Sequence, residues 1–152
     1  QLSPALRAVE IDNHYPAFNV CAFLTRLQCK EHLVRLTLSN IPELEILSIP
    51  NNCLGYVEHL KLECNRYLTR VDGFQHVGKL KTLSFMGCCR LEEVDCSALE
   101  SLESFSLNCC VELKTIIGLD KANKSLKNLN LRRTLQYAGE DRDELLFIKG
   151  RF

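Results

Sequence analysis

The segment Leu80-Lys81-Thr82-Leu83-Ser84-Phe85-Met86-Gly87-Cys88-Cys89-Arg90-Leu91-Glu92-Glu93-Val94 decides how this chain is to be read. Its first six residues carry apolar side chains at positions one, four and six. The same Leu-x-x-Leu-x-Leu ladder begins at Leu6, Leu33, Val57, Leu80, Leu102 and Leu126, at offsets of 27, 24, 23, 22 and 24 residues. Such a period with such a ladder is the signature of a leucine-rich-repeat solenoid, in which each copy gives one short strand to a continuous parallel sheet. The expected fold class is therefore an α/β repeat with a concave parallel sheet and a convex side made mostly of loops or short helices.

Side chains alternate across a strand, so each ladder supplies buried rungs: Leu33, Leu36 and Leu38, then Val57, Leu60 and Leu62, Leu80, Leu83 and Phe85, Leu102, Phe105 and Leu107, and Leu126, Leu129 and Leu131. Leu6, Val9 and Ile11 are a weaker copy in phase. Further along each repeat, Leu44, Leu68, Leu91 and Leu113 are followed three residues later by Leu47, Val71, Val94 and Ile116, which turn back into the core and close the coil. One repeat cannot bury enough apolar surface to fold alone, so the copies must stack. The ninth position reads His14, Ile41, Asn65, Cys88, Cys110 and Thr134, a place for a small group that bonds the turning backbone. Phe18, Cys21, Leu24 and Leu27 recur every three residues in the longest spacer and predict a short convex helix. Gly73, Gly118, Pro42 and Pro50 favour loops in the other returns. The repeat domain is expected over residues 1–134, with 135–152 a terminal cap or the start of a following segment.

Lys plus Arg and Asp plus Glu number 19 each, so no net field draws the chain to nucleic acid or an anionic membrane. No apolar run approaches the roughly 18 residues of a membrane span, and no signal peptide is visible. The chain starts at Gln1 with its first ladder almost at once, which reads as a piece of something longer. Nine cysteines are an odd number and most recur in phase, which fits a reducing compartment better than a disulfide scaffold. Cys88-Cys89 and Cys109-Cys110 lack zinc-ribbon spacing, and cysteine packs well as a small buried hydrophobe. No metal or cofactor site and no catalytic residue is expected. His14, His32, His59 and His76 lie in different repeats, and only His59 with Cys64 offers any opening for an enzyme.

The template Leu80-x-x-Leu83-x-Phe85-x-x-Cys88-x-x-Leu91-x-x-Val94 recurs as Leu102-x-x-Phe105-x-Leu107-x-x-Cys110-x-x-Leu113-x-x-Ile116, running on through Gly118-Leu119 to Ser125-Leu126-x-x-Leu129-x-Leu131. Over about Leu33 to Arg133 this resembles the leucine-rich-repeat region of plant intracellular nucleotide-binding disease-resistance receptors, especially those with a Toll/interleukin-receptor-like domain. The resemblance implies a role in plant defense and innate immune signal transduction: recognition of a pathogen effector or guarded host protein, and an intramolecular contact that restrains the nucleotide-binding domain. It implies a cytoplasmic or nuclear location and a parent that holds ADP or ATP in a P-loop. No Gly-x-x-x-x-Gly-Lys occurs in this chain, so it carries no nucleotide site of its own. A rival resemblance is to the substrate-recognition repeats of F-box ubiquitin-ligase receptors. Those run nearer 26 residues with a regular convex helix, and the spacing of 22 to 24 argues against them. Secreted repeat receptors are a third option, disfavoured by unpaired cysteines within strands.

Partner contact is expected on residues that point out of the concave sheet: Arg35, Thr37 and Ser39; His59, Lys61 and Glu63; Thr82, Ser84 and Met86; Ser104, Ser106 and Asn108; and Asn128, Asn130 and Arg132. The middle strands are small and neutral. The flanks are charged, and Arg35, Lys61, Arg132 and Arg133 could reach acidic groups at a partner's rim. Against this stands the plain alternative of solvated sheet residues, which outnumber binding anchors at most surfaces. Second positions read Glu58, Lys81, Glu103 and Lys127, alternating in sign, which predicts a self-neutralising ladder that keeps register.

Overall fold

The computed structural model describes residues 5–27, 32–122 and 124–134. The segment 135–152, expected to be a cap or a following unit, lies outside the described residues. In chain order the elements are β1 (Ala8–Asp12), α1 (Val20–Arg26), β2 (Arg35–Ser39), β3 (Ile46–Ser48), β4 (His59–Lys61), β5 (Arg70–Asp72), a single 3-10 turn (Phe74–His76), β6 (Thr82–Ser84), β7 (Glu93–Asp95), β8 (Ser104–Ser106), β9 (Thr115–Ile117), α2 (Leu119–Ala122) and β10 (Asn128–Asn130).

One strand from each ladder enters a six-stranded parallel sheet, ordered β1-β2-β4-β6-β8-β10. The pairings Ala8↔Arg35, Arg35↔His59, His59↔Thr82, Thr82↔Ser104 and Ser104↔Asn128 reproduce the offsets between ladder starts residue for residue. Register follows the apolar period because a slip of one residue would turn every buried rung to water. Leu36, Leu60, Leu83 and Phe105, the central rungs, are all buried, as are Leu38, Leu62, Phe85 and Leu107 two residues later. In the first and last ladders Val9, Ile11, Leu129 and Leu131 are only partly buried and pack on the same core.

The return side differs from the loops expected of it. Ile46–Ser48 pairs with Arg70–Asp72, and Glu93–Asp95 with Thr115–Ile117, as two short parallel sheets. Their central residues Leu47, Val71 and Val94 are buried in the same core as the ladder rungs, while Ile116 packs against it half-buried. A bond from the Glu92 N–H to the Thr69 carbonyl, 3.0 Å, links the two pairs. Gly118 ends β9 at φ +76°, and a Cβ there would stand 2.3 Å from the Ser97 Cα, so the adjacent repeat leaves no room for a side chain.

The helix predicted from Phe18, Cys21, Leu24 and Leu27 is α1, capped by the Asn19 side chain, which accepts from the Ala22 N–H. It buries Val20 and Leu24, with Leu27 just beyond its end also buried, whereas Cys21 is exposed. Among the described residues no helix is long and apolar enough to cross a membrane.

Candidate functional site

The face of the six-stranded sheet turned away from the core collects three rows of side chains, one residue per strand. The strand register places Arg35, His59, Thr82, Ser104 and Asn128 side by side in one row, and Thr37, Lys61, Ser84, Ser106 and Asn130 in the next. Beyond the strand ends, backbone bonds from the N–H groups of Cys64, Gly87 and Cys109 to the carbonyls of Met86, Asn108 and Arg132 keep the third row aligned past Ser39 and Glu63. Fourteen of the fifteen residues chosen from sequence are exposed or half-exposed in this array. Ser84 is the exception at 7% exposure, and its hydroxyl donates to Glu63 Oε1 at 2.9 Å. Met86 is 39% exposed and is the large apolar side chain of the array.

β1 extends the same face by one strand, with Ala8, Glu10 and Asp12 standing beside Arg35, Thr37 and Ser39. These three were not chosen from sequence. Their signal lay in the phase of Leu6, Val9 and Ile11, which fixes the intervening residues as outward-facing. At this end Asp12 accepts from the Asn40 side chain at 2.9 Å and lies 3.5 Å from His14. Among the described residues, no ion pair engages Arg35, Lys61, Arg66, Arg132 or Arg133, while Arg70, Lys81, Lys114 and Lys127 each meet a carboxylate.

Along the upstream edge of the strands the alternating charges meet in two pairs rather than in one continuous ladder. Lys81 Nζ is 2.9 Å from Glu58 Oε2, and Lys127 Nζ is 3.1 Å from Glu103 Oε2. The hydrogen bond from Lys81 holds the Glu58 carboxyl below its usual range, and the same bond raises Lys81. Two cation–aromatic stacks escaped the sequence reading: Lys79 over the Tyr56 ring at 4.5 Å, and Arg90 over the Tyr67 ring at 5.0 Å. Each joins equivalent positions of successive repeats, so aligning the repeats column by column would have revealed both.

In four of the six repeats the ninth-position side chain bonds the turning backbone, whereas Ile41 is an apolar core residue and His14 lies beside Asp12. Buried Asn65 donates to the Leu38 carbonyl at 2.9 Å and accepts from the Ile41 N–H at 3.0 Å. Cys88 and Cys110 donate through sulfur to the carbonyls of Leu62 and Phe85, and Thr134 donates to that of Leu107. Each bond ties the turn of one repeat to the strand end of the repeat before it. Burial pushes the Cys88 and Cys96 thiols up to about 12 and raises Cys110 as well, so these sulfurs stay protonated and act as donors.

Among the described residues no group of three His, Cys, Asp or Glu is placed to hold a metal ion. His59 and Cys64 sit at opposite ends of their repeat's outward face, the first in β4 and the second in the left-handed turn after it, with no hydrogen bond between them. A pocket of about 380 Å³ lies on the return side, lined in part by Asp72, Phe74 and Asp95. Its carboxylates are already engaged, Asp72 by Arg70 at 3.0 Å and Asp95 by the Ser97 N–H at 3.0 Å. Comparisons of the chain with protein-family models, curated proteins and solved structures give no match.

Proposed function

We propose that this chain is a leucine-rich-repeat solenoid whose curved open sheet recognises a protein, and that it serves as the recognition region of a plant disease-resistance receptor. In that role it would sense a pathogen effector or guarded host protein and help hold the receptor's nucleotide switch, in an ADP- or ATP-binding domain elsewhere in the parent, in its resting state. The observation that carries the reading is the open face itself. Small hydroxyls and amides from Thr82, Ser104, Ser106, Asn108, Asn128 and Asn130 occupy its middle and far end, with Arg35 and Lys61 exposed on one flank and Arg132 on the other. Short neutral side chains let a partner's backbone approach closely, and cations that form no ion pair among the described residues are available to its carboxylates.

The return side supports this reading over the F-box alternative, since the four inner returns carry three-residue strands where that family resemblance implies a regular helix. Extending the reading frame upstream tests the proposal at its root. A P-loop module supports it, and an F-box helical motif would sink it. With a P-loop module present, the isolated nucleotide-binding domain should bind this chain, and the paired substitution Arg35→Glu with Lys61→Glu should weaken that binding or effector binding at least tenfold. Unchanged affinity for both would remove the open face from the proposal.

A further inference from the structure

Five of the eight described cysteines fall at positions eight to ten of three successive repeats: Cys64, then Cys88 and Cys89, then Cys109 and Cys110. Their environments divide them. Cys88 and Cys110 are buried with their S–H groups given to backbone carbonyls, which makes them fasteners of the turn. Cys89 is exposed, and Cys64 and Cys109 are half-exposed.

Cys64 and Cys89 both lie beside Gly87. A Cβ on Gly87 would stand 3.2 Å from the Cys64 Sγ, which reaches across from the preceding repeat. Cys89 Sγ lies 3.4 Å from the Gly87 carbonyl oxygen within the same turn. Gly87 is left-handed at φ +77°, yet Asn40, Cys64, Cys109 and Arg133 hold the corresponding left-handed position in the other repeats. Backbone conformation therefore does not by itself demand glycine here. A side chain at residue 87 would crowd the Cys64 sulfur, and glycine leaves that room beside both cysteines. Cys109 instead directs its S–H to its neighbour Asn108 Oδ1 at 3.4 Å.

We propose that Cys64 and Cys89 form a thiol–disulfide exchange site for low-molecular-weight disulfides of the glutathione class. The exposed Cys89 thiolate attacks one sulfur of oxidised glutathione, whose S–S bond breaks and releases one glutathione thiolate. The Cys64 thiolate then attacks Cys89 Sγ in the mixed disulfide, forming the Cys64–Cys89 bond and releasing the second glutathione. Two protein thiols are oxidised and one small disulfide is reduced. The two protons lost by the cysteines end on the two released thiols. The new bond would clamp adjacent repeats beside Glu63 and Met86, at the border of the open face, whatever partner that face takes.

Incubating the full chain with oxidised glutathione under native conditions, with intact mass and non-reducing peptide mapping as the readouts, tests this. The expected product has lost two hydrogens per chain and contains a Cys64–Cys89 linked peptide. Cys64→Ser should stop at a stable glutathione adduct on Cys89, Cys89→Ser should give neither product, and Cys109→Ser should behave as the unsubstituted chain, with circular dichroism confirming that each variant is folded. If Cys64→Ser does not fold, Cys64→Ala replaces it. A persistent Cys89 adduct in the unsubstituted chain, a Cys89–Cys109 link, or no reaction at either residue overturns the proposal.

Discussion

The strand side and the return side of this molecule grow from the same repeating apolar spacing, yet one is unbroken and the other is not. Six strands pair without interruption on the first, while the second offers two separate pairs, β3 with β5 and β7 with β9. A ladder with three rungs in six residues specifies a strand and its register together. The return carries only a pair of apolar residues three apart, and beyond that pair the chain continues differently from copy to copy, through a 3-10 turn after β5 and a one-turn helix after β9. Two anchors per repeat fix depth in the core but leave the pairing on this side in two separate sheets.

The largest loss is expected at Phe85, because it is fully buried and touches both sides. Its ring meets Phe74 from the return and Phe105 from the next ladder, each edge-on at 6.4 Å. Phe85→Ala should cost about 3–5 kcal/mol, measured by urea unfolding. If the two sides form one cooperative unit, tyrosine fluorescence and far-ultraviolet circular dichroism will shift to lower urea together. Two separated transitions would show that the sides unfold independently.

Asn65→Leu comes next and acts on the strand side alone. It leaves the Leu38 carbonyl and Ile41 N–H without their partner, at roughly 1–3 kcal/mol for a buried group left unsatisfied. Amide exchange should quicken around Leu38 to Ile41 and stay slow at Val71. Protection unchanged at both sites would mean that water takes over the bonds.

Gly118→Ala is the matching probe of the return side, with an expected cost of about 1–3 kcal/mol from the left-handed φ and the contact with Ser97. Exchange should rise at Cys96, whose N–H bonds to the Ile117 carbonyl at 2.9 Å, while the pairing of Ser104 with Asn128 persists. Gly55, with nothing within 4 Å of its would-be Cβ, is the control, and Gly55→Ala should be nearly silent. Equal effects at both glycines would remove close approach between repeats as the explanation.

Particular residues show what the sequence could disclose. Leu36, Leu60, Leu83 and Phe105 announced the sheet and its register because burial repeats only where the chain returns in phase. The α1 helix was visible through Leu24 and Leu27, although Cys21, counted on the same face, is exposed because the buried stripe runs through Val20 instead. The return strands were not visible, since Leu68 with Val71 or Leu91 with Val94 fits a loop as well as a three-residue strand. The site's rows were legible on β2 to β10 and overlooked on β1, whose rungs Val9 and Ile11 are weaker and only half-buried. Gly87's contact with Cys64 could not be foreseen, because the reach of a sulfur across repeats depends on a left-handed turn that the sequence does not mark.

The charge pairs along the edge of the strand side should matter least to stability. Lys81→Glu would set a third carboxylate between Glu58 and Glu103, where Lys81 now bonds Glu58 and also feels the charge of Glu103. Glu58 is held below its ordinary value of 4.5, so its contribution is present above that value and is lost as pH falls through its folded value. Lys81 is held above its ordinary 10.5, so its contribution is present below that value and is lost as pH rises through its folded value. The pair therefore favours the fold across the window between those two ordinary values. Both groups are half-exposed, so the fall in Tm at neutral pH and low salt should be smaller than that of Gly118→Ala. High salt should shrink it by screening, and acid should shrink it by protonating the carboxylates. A Tm that does not move at low salt, or a shift indifferent to both salt and pH, would mean that register is kept by the apolar rungs alone and that the charge ladder merely decorates the edge.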